Sequence, residues 1–283
     1  MVKGPNLAGT WYPASPGALA AEVGRLLGAA PPSAGEPAKA VIVPHAAYQF
    51  SGACAASGFA RFKTSTATRA VVLAPSHHCG FRGAAVLPAD GYATPLGTVT
   101  IDTDTVAALG RHAIVRTDPA PFDKEHALEI QLPFLQTVLP AVRLVPVLIG
   151  TVRGPDAQAL AACLGPTIEE AGTVVVVSSD LTHYGDRFGY LPFPPTDERS
   201  VREGLRELDG GAVKLILAGD ADALDGYIAR TGATICGRAA IGVLLRVRGA
   251  RGHGEQLCYR TSMDVVGDRE NCVSYCSIAF WDK

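Results

Sequence analysis

Gly172-Thr173-Val174-Val175-Val176-Val177-Ser178-Ser179 reads as a buried strand that runs straight into Asp180, with His183 three residues further on. Four consecutive valines leave no polar face, so such a strand is covered on both sides, as in a sheet flanked by helices. Three more runs of this kind lie upstream, at residues 40–43, 69–74 and 142–149. Between them the apolar period turns helical. Residues 15–27 carry Ala, Leu and Val at helical spacing, with Ser15 as N-cap and Pro16 at the first helical position. Residues 125–139 put Leu128, Leu132, Leu135 and Leu139 on one face. Residues 51–61, 157–164, 197–208, 221–228 and 238–247 are further helical segments. Strands alternating with helices predict an α/β fold, a single domain over residues 1–283 built on a central mixed, largely parallel sheet flanked by helices. Residues 256–263 and 272–281 read as two strands around a polar loop at 267–271, an antiparallel addition to the sheet edge. The proline- and glycine-rich stretches at 31–37 and 192–195 read as loops within that domain.

Composition narrows the function. The 283 residues hold 25 Lys+Arg and 27 Asp+Glu, a net charge of -2, which argues against binding a polyanion through a broad basic surface. Nor does any apolar run approach the ~18 residues that span a bilayer. The opening Met1-Val2-Lys3-Gly4-Pro5-Asn6 has no apolar signal region, so a cytoplasmic location with reduced thiols is expected. The seven cysteines, at 54, 79, 163, 236, 258, 272 and 276, form no CxxC pair, so a zinc ribbon or thioredoxin-type motif is absent. The P-loop, GxGxxG and GxSxG patterns are absent as well.

The chemistry gathers where strands end. The 40–43 run leads to His45, the 69–74 run to His77-His78, and the valine run to Asp180 and His183. Ligands of open α/β sheets bind beyond the carboxyl ends of strands, so three such ends bearing imidazoles point to one shared pocket. Neutral imidazole suits iron, zinc or copper. Adjacent residues at a strand end point to opposite sides, so one of His77 and His78 faces inward. Asp180 also suits a helix N-cap. His126 and Glu129 are i, i+3 neighbours on the expected 125–139 helix, a spacing that serves a ligand pair or a solvated face. Cys236 precedes Arg238 at the start of the 238–247 helix, which favours a lowered thiol pKa and a nucleophile or soft metal ligand; a small buried residue at a turn is the plain alternative. Cys54, Cys163, Cys258, Cys272 and Cys276 read as packing residues, and Cys79 lies near the rim.

Several of these residues belong to an ordered series. Ala8-Gly9-Thr10-Trp11-Tyr12, Pro44-His45-Ala46-Ala47-Tyr48, Pro75-Ser76-His77-His78, Tyr92-Ala93-Thr94-Pro95-Leu96-Gly97, Glu125-His126-Ala127-Leu128-Glu129, Ser178-Ser179-Asp180-Leu181-Thr182-His183-Tyr184-Gly185, Thr234-Ile235-Cys236-Gly237-Arg238 and Val273-Ser274-Tyr275 span nearly the whole chain. In order and spacing the series resembles the Memo family, whose prokaryotic members are known as AmmeMemoRadiSam system protein B. One departure is Ala47, where the family usually has glycine; the added methyl is expected to narrow the pocket or restrict the turn.

The family is similar to the class III extradiol dioxygenases, non-haem iron enzymes of α/β fold. The resemblance implies that His45, His77 and Cys236 are metal ligands, that His183 matches the dioxygenase acid–base histidine, and that Asp180 and His126 line the same pocket. A thiolate in place of a carboxylate shifts the preference toward copper or zinc beside iron. The functional expectation is a metal-binding protein with a redox role, acting on a small molecule or peptide in the pocket and linked functionally to AMMECR-type and radical SAM proteins. The alternatives are a non-enzymatic adaptor or a copper- or iron-handling protein, and a zinc hydrolase.

Overall fold

Residues 1–32, 35–152 and 154–282 are described by the structure, a computed structural model; residues 33 and 34 of the proline-rich loop lie outside the described residues. A small sheet joins β1 (Val2–Lys3) to β5 (Gly91–Thr94) and β6 (Gly97–Thr100). Among the described residues the main sheet holds nine strands. The four β-branched runs are its neighbouring centre: β2 (Ala40–Val43), β9 (Thr173–Ser178), β3 (Arg69–Pro75) and β8 (Arg143–Ile149), in that spatial order and all parallel. Every residue of β2 and β9 is buried, as the absence of a polar face requires.

Both flanks turn antiparallel. On one side β12 (Cys272–Trp281) pairs with β2, and carries β11 (His253–Thr261) and the short β10 (His183–Tyr184). On the other, β4 (Ala84–Val86) runs antiparallel to β8 and parallel to β7 (Val115–Thr117). The sheet is thus mixed: four strands run parallel in the middle, and one further parallel pair, β4 and β7, lies at an edge.

Helices cover both faces. On one, α1 (Pro16–Ala29), α2 (Ala53–Phe59) and α4 (Leu132–Val138) pack together, and Gly58 of α2 sits so close to Val41 and Val43 that an added Cβ would lie 2.5 Å from the Val43 side chain. On the other, α3 (Thr103–Leu109), α5 (Asp156–Glu169), α7 (Ala221–Thr231) and α8 (Arg238–Arg248) form the cover, α5 and α8 lying against β9. α6 (Glu198–Leu217) packs on α7 and β11, and α9 (Met263–Val266) closes a turn before β12.

One expected helix is shorter than its leucine pattern. Only Leu132–Val138 is α-helical, behind a single 3₁₀ turn at Glu129–Gln131, while residues 123–128 are irregular. The Glu125 carboxylate explains the delay. It accepts the backbone N–H groups of His126 and Ala127 and draws this segment toward His77 instead of into a helical ladder. His126 and Glu129 are therefore not the paired face that an i, i+3 spacing suggested. Asp180 caps no helix either, because the chain continues irregularly into β10. Ala47 adopts φ -54 and ψ 148, extended backbone open to any residue, so its methyl does not restrict the turn.

Candidate metal centre

β9 lies between β2 and β3, so the carboxyl ends of three successive strands deliver His45, Asp180 and His77 to one rim. The irregular segment before α4 adds His126. Ring centroids stand 5.2 Å apart for His45 and His77, 5.4 Å for His45 and His126, and 4.5 Å for His77 and His126. Each imidazole offers a nitrogen within 4.8 Å of the other two, and among the described residues this is the set that could hold a metal ion. His77 and His78 are both exposed, but it is the His77 ring that joins His45 and His126, while His78 lies 5.9 Å from His126 and outside the set.

Cys236 arrives from the loop between α7 and α8. Its Sγ lies 3.2 Å from His45 Nε2 and accepts the Asp180 backbone N–H at 3.2 Å. The approach depends on Gly237, where a Cβ would stand 2.6 Å from the Ser178 carbonyl oxygen. The thiol is not activated as expected from the sequence. Burial raises its pKa, and the neighbouring Asp180 carboxylate raises it further. Arg238 is exposed and does not offset this. Cys236 is therefore a neutral thiol until something else charges it, and a metal ion does so by deprotonating its thiol ligand.

Three groups suit the site to a cation that takes nitrogen donors. Burial, then the charge of His77, holds the His45 pKa well below its ordinary value. Burial, then His45, lowers His126 to about 3. Both rings are neutral near pH 7 and keep a lone pair. His77 Nδ1 donates to Glu125 Oε1 at 2.9 Å, so the other nitrogen of a neutral His77 ring is free to coordinate. Glu125 is buried; its desolvation is outweighed by the His77 ring and by backbone N–H groups, which bring it down to about 2.

Asp180 Oδ1 accepts the His45 backbone N–H at 2.8 Å, and burial raises this carboxyl against the pull of His183. His183 lies on β10. Its Nδ1 sits 3.1 Å from the Leu181 carbonyl and 3.2 Å from that of Thr234, acceptors both, so Nδ1 carries a hydrogen and, in the neutral ring, Nε2 carries the lone pair.

Five residues escaped the sequence reading in these roles. Glu125 holds His77 and the chain at His126. Ser178 and Gln131 form a buried bonded group behind His45. The Trp11 ring lies tilted against His126, centroids 4.7 Å apart. Glu129 secures that tryptophan indirectly: its buried carboxylate accepts Asn6 N, Leu7 N and the Tyr12 hydroxyl, fastening the N-terminal segment over the rim. The acid beside His126 was the one available signal, because ligating histidines commonly donate their second N–H to a carboxylate. Of the other cysteines, Cys54, Cys163, Cys272 and Cys276 are buried, and Cys79 and Cys258 are half-buried.

Fold and rim define an α/β protein with one candidate metal pocket at the carboxyl edge of a parallel core. The chain belongs to the Memo family: the family model described as Memo-like protein matches residues 3–279. It is 32% identical over 243 residues to protein MEMO1 of Danio rerio, covering 84% of this chain and 81% of that protein. It is 31% identical over 281 residues to the memo-1 homolog of Caenorhabditis elegans, covering 95% and 80%. Homo sapiens MEMO1 is 30% identical over 243 residues, with 84% and 81% covered. Among solved structures, uncharacterized protein JW3007 from Escherichia coli K12 matches with a TM-score of 0.50 at 15% identity, covering 85% of this chain and 98% of that one; this likeness concerns the fold alone.

Proposed function

We propose that this Memo-family chain binds one redox-active metal ion, iron or copper, in the rim pocket and serves dioxygenase-like oxidation of a small molecule or peptide. The observation that carries the reading is the convergence of His45, His77 and His126 with the Cys236 sulfur at one strand-end rim. His45, His77 and Cys236 are the proposed ligands, with His126 in reach of the same ion. Bound there, such an ion supplies Lewis acidity and one-electron chemistry. The chain's own residues do the rest. Burial keeps His45 and His126 unprotonated, and Glu125 orients His77. His183, with Nδ1 held by two carbonyls, presents Nε2 as a base for a substrate proton. Asp180 steadies the His45 backbone.

Anaerobic Fe(II) and copper titrations of the wild type and of a His45→Ala/Cys236→Ser double variant test the ligand set. One equivalent is expected in the wild type, and a loss of affinity beyond the about 10–100-fold of outer-shell changes in the double variant. Unchanged stoichiometry and affinity would overturn the assignment.

A second reading rests on the nitrogen set alone. Three imidazoles with a position left open is a zinc arrangement for hydrolysis, and the three donors lie within 4.8 Å of one another without Cys236. Single variants separate the two. Binding lost in His126→Ala but kept in Cys236→Ser, with activity supported by zinc, favours the zinc site; the reverse favours the thiolate site.

A further inference from the structure

We propose that Ser178 and Gln131 are positioning residues that lock His45 as its Nδ1–H tautomer, so that the Nε2 lone pair faces the rim pocket. The value of this lock to a metal rests on the function proposed above; the tautomer itself does not.

The bonding leaves one solution. Gln131 Nε2 lies 3.0 Å from the Pro44 carbonyl oxygen and 2.9 Å from Ser178 Oγ. A carbonyl oxygen only accepts, so the amide nitrogen faces Pro44 and both its hydrogens are committed. Turning the amide over would set two oxygens against each other. The amide keeps its orientation although Gln131 Oε1 is then buried with no partner among the described residues. Ser178 Oγ therefore accepts from Gln131. Its single hydrogen goes to the Ala127 carbonyl oxygen, 2.6 Å away, which again only accepts. The lone pair that remains meets His45 Nδ1 at 2.9 Å, and a donor is the only partner it can take.

A neutral imidazole carries one N–H, so placing it on Nδ1 leaves Nε2 bare. That nitrogen faces Cys236 Sγ at 3.2 Å, a thiol able to donate to it. The opposing influence is Asp180, which would favour a proton on Nε2. Its nearer oxygen is 3.9 Å from Nε2, beyond hydrogen-bond length, and its other oxygen is engaged by the His45 backbone. Ser178, Gln131 and His45 are all buried, so bulk water does not compete for these bonds.

The test is long-range ¹H–¹⁵N correlation on metal-free, ¹⁵N-histidine-labelled protein, with His45→Gln identifying the signal. The wild type is expected to show His45 Nε2 as an unprotonated nitrogen. Ser178→Ala is expected to move it toward the protonated position, and Gln131→Met to move it the same way by less. A wild-type Nε2 that bears the hydrogen overturns the proposal, as does an Nε2 that stays fully bare in Ser178→Ala. If Ser178→Ala does not fold, the wild-type and Gln131→Met spectra still decide. Where the wild type binds metal, Ser178→Ala is expected to weaken binding about 10–100-fold. A wild type that shows the bare Nε2 yet binds no metal overturns the metal reading and supports this one.

Discussion

The two ends of the central strands carry opposite kinds of polarity. At the amino ends, cations meet carboxylates. Arg69 Nε lies 2.7 Å from Asp102, which also takes Arg143 at 3.4 Å. Arg248 pairs with Asp282 and Arg251 with Glu169, while Lys39 Nζ caps the carbonyls of Glu170 and Thr173. At the carboxyl ends, among the described residues, no lysine or arginine pairs with Glu125, Glu129 or Asp180. Those carboxylates are held by backbone N–H groups, a tyrosine hydroxyl and imidazoles. Matched charges close the amino ends, whereas at the carboxyl ends of β2, β3 and β9 the polar groups are imidazoles and carboxylates bonded to one another and to the backbone; the Arg82–Asp156 pair lies at the end of β8 instead.

The strongest way to break this contrast is at the paired end. Asp102→Ala removes the buried carboxylate that holds Arg69 and Arg143 and caps α3, leaves Arg69 only the exposed Glu170, and is expected to lower stability by about 3 kcal/mol in urea denaturation. Metal affinity at the far rim should stay within about twofold; a large loss would show that the two ends are coupled. Next comes Glu129→Leu, which strips the acceptor from Leu7 N, Asn6 N and the Tyr12 hydroxyl. It is expected to cost about 2 kcal/mol and to speed amide exchange at Leu7. Exchange that stays slow there would mean that the N-terminal segment is held by packing alone.

Acid should expose the paired end more gently. Burial alone would raise Asp102, but bonds from Arg69 and Thr105 win and lower it below 3.8. The stability it contributes is thus complete above about pH 4 and is lost as pH falls through its depressed folded pKa. Wild-type stability should therefore fall more steeply than that of Asp102→Asn between pH 4 and the acid limit of folding; parallel curves would remove Asp102 from the account. The smallest effect on stability belongs to His183→Ala. A half-buried ring at a sheet edge should change stability by less than about 1 kcal/mol, while removing the proposed base. Turnover unaffected by this variant would take His183 out of the chemistry.

Much of this was legible along the chain. The four apolar runs became the four central strands, and the C-terminal pair became the antiparallel flank. The histidines at strand ends stood out because a polar imidazole directly after a fully buried strand has few places to go. The leucine pattern at 125–139 misled in its first turn, since periodicity reports the face a helix buries and not the side chain that competes for its backbone. Cys236 was noticed for its helix start, but its neighbour in space is Asp180, not Arg238, and that reverses the direction of its pKa.

Strand identity, helix content and the list of imidazoles follow from local pattern, because burial on two faces and helical spacing are written residue by residue. Three things depended on tertiary structure. The placing of β9 between β2 and β3 makes three separate strand ends into one rim. Glu125 and Glu129, four residues apart, go to different tasks because one reaches His77 and the other the N-terminal segment. The choice of nitrogen on His45 is made by Ser178 and Gln131, whose hydrogen bonds exist only once the strand end and the 3₁₀ turn have met. Local pattern records what each segment buries, whereas donor and acceptor matching belongs to groups brought together from 133 residues apart.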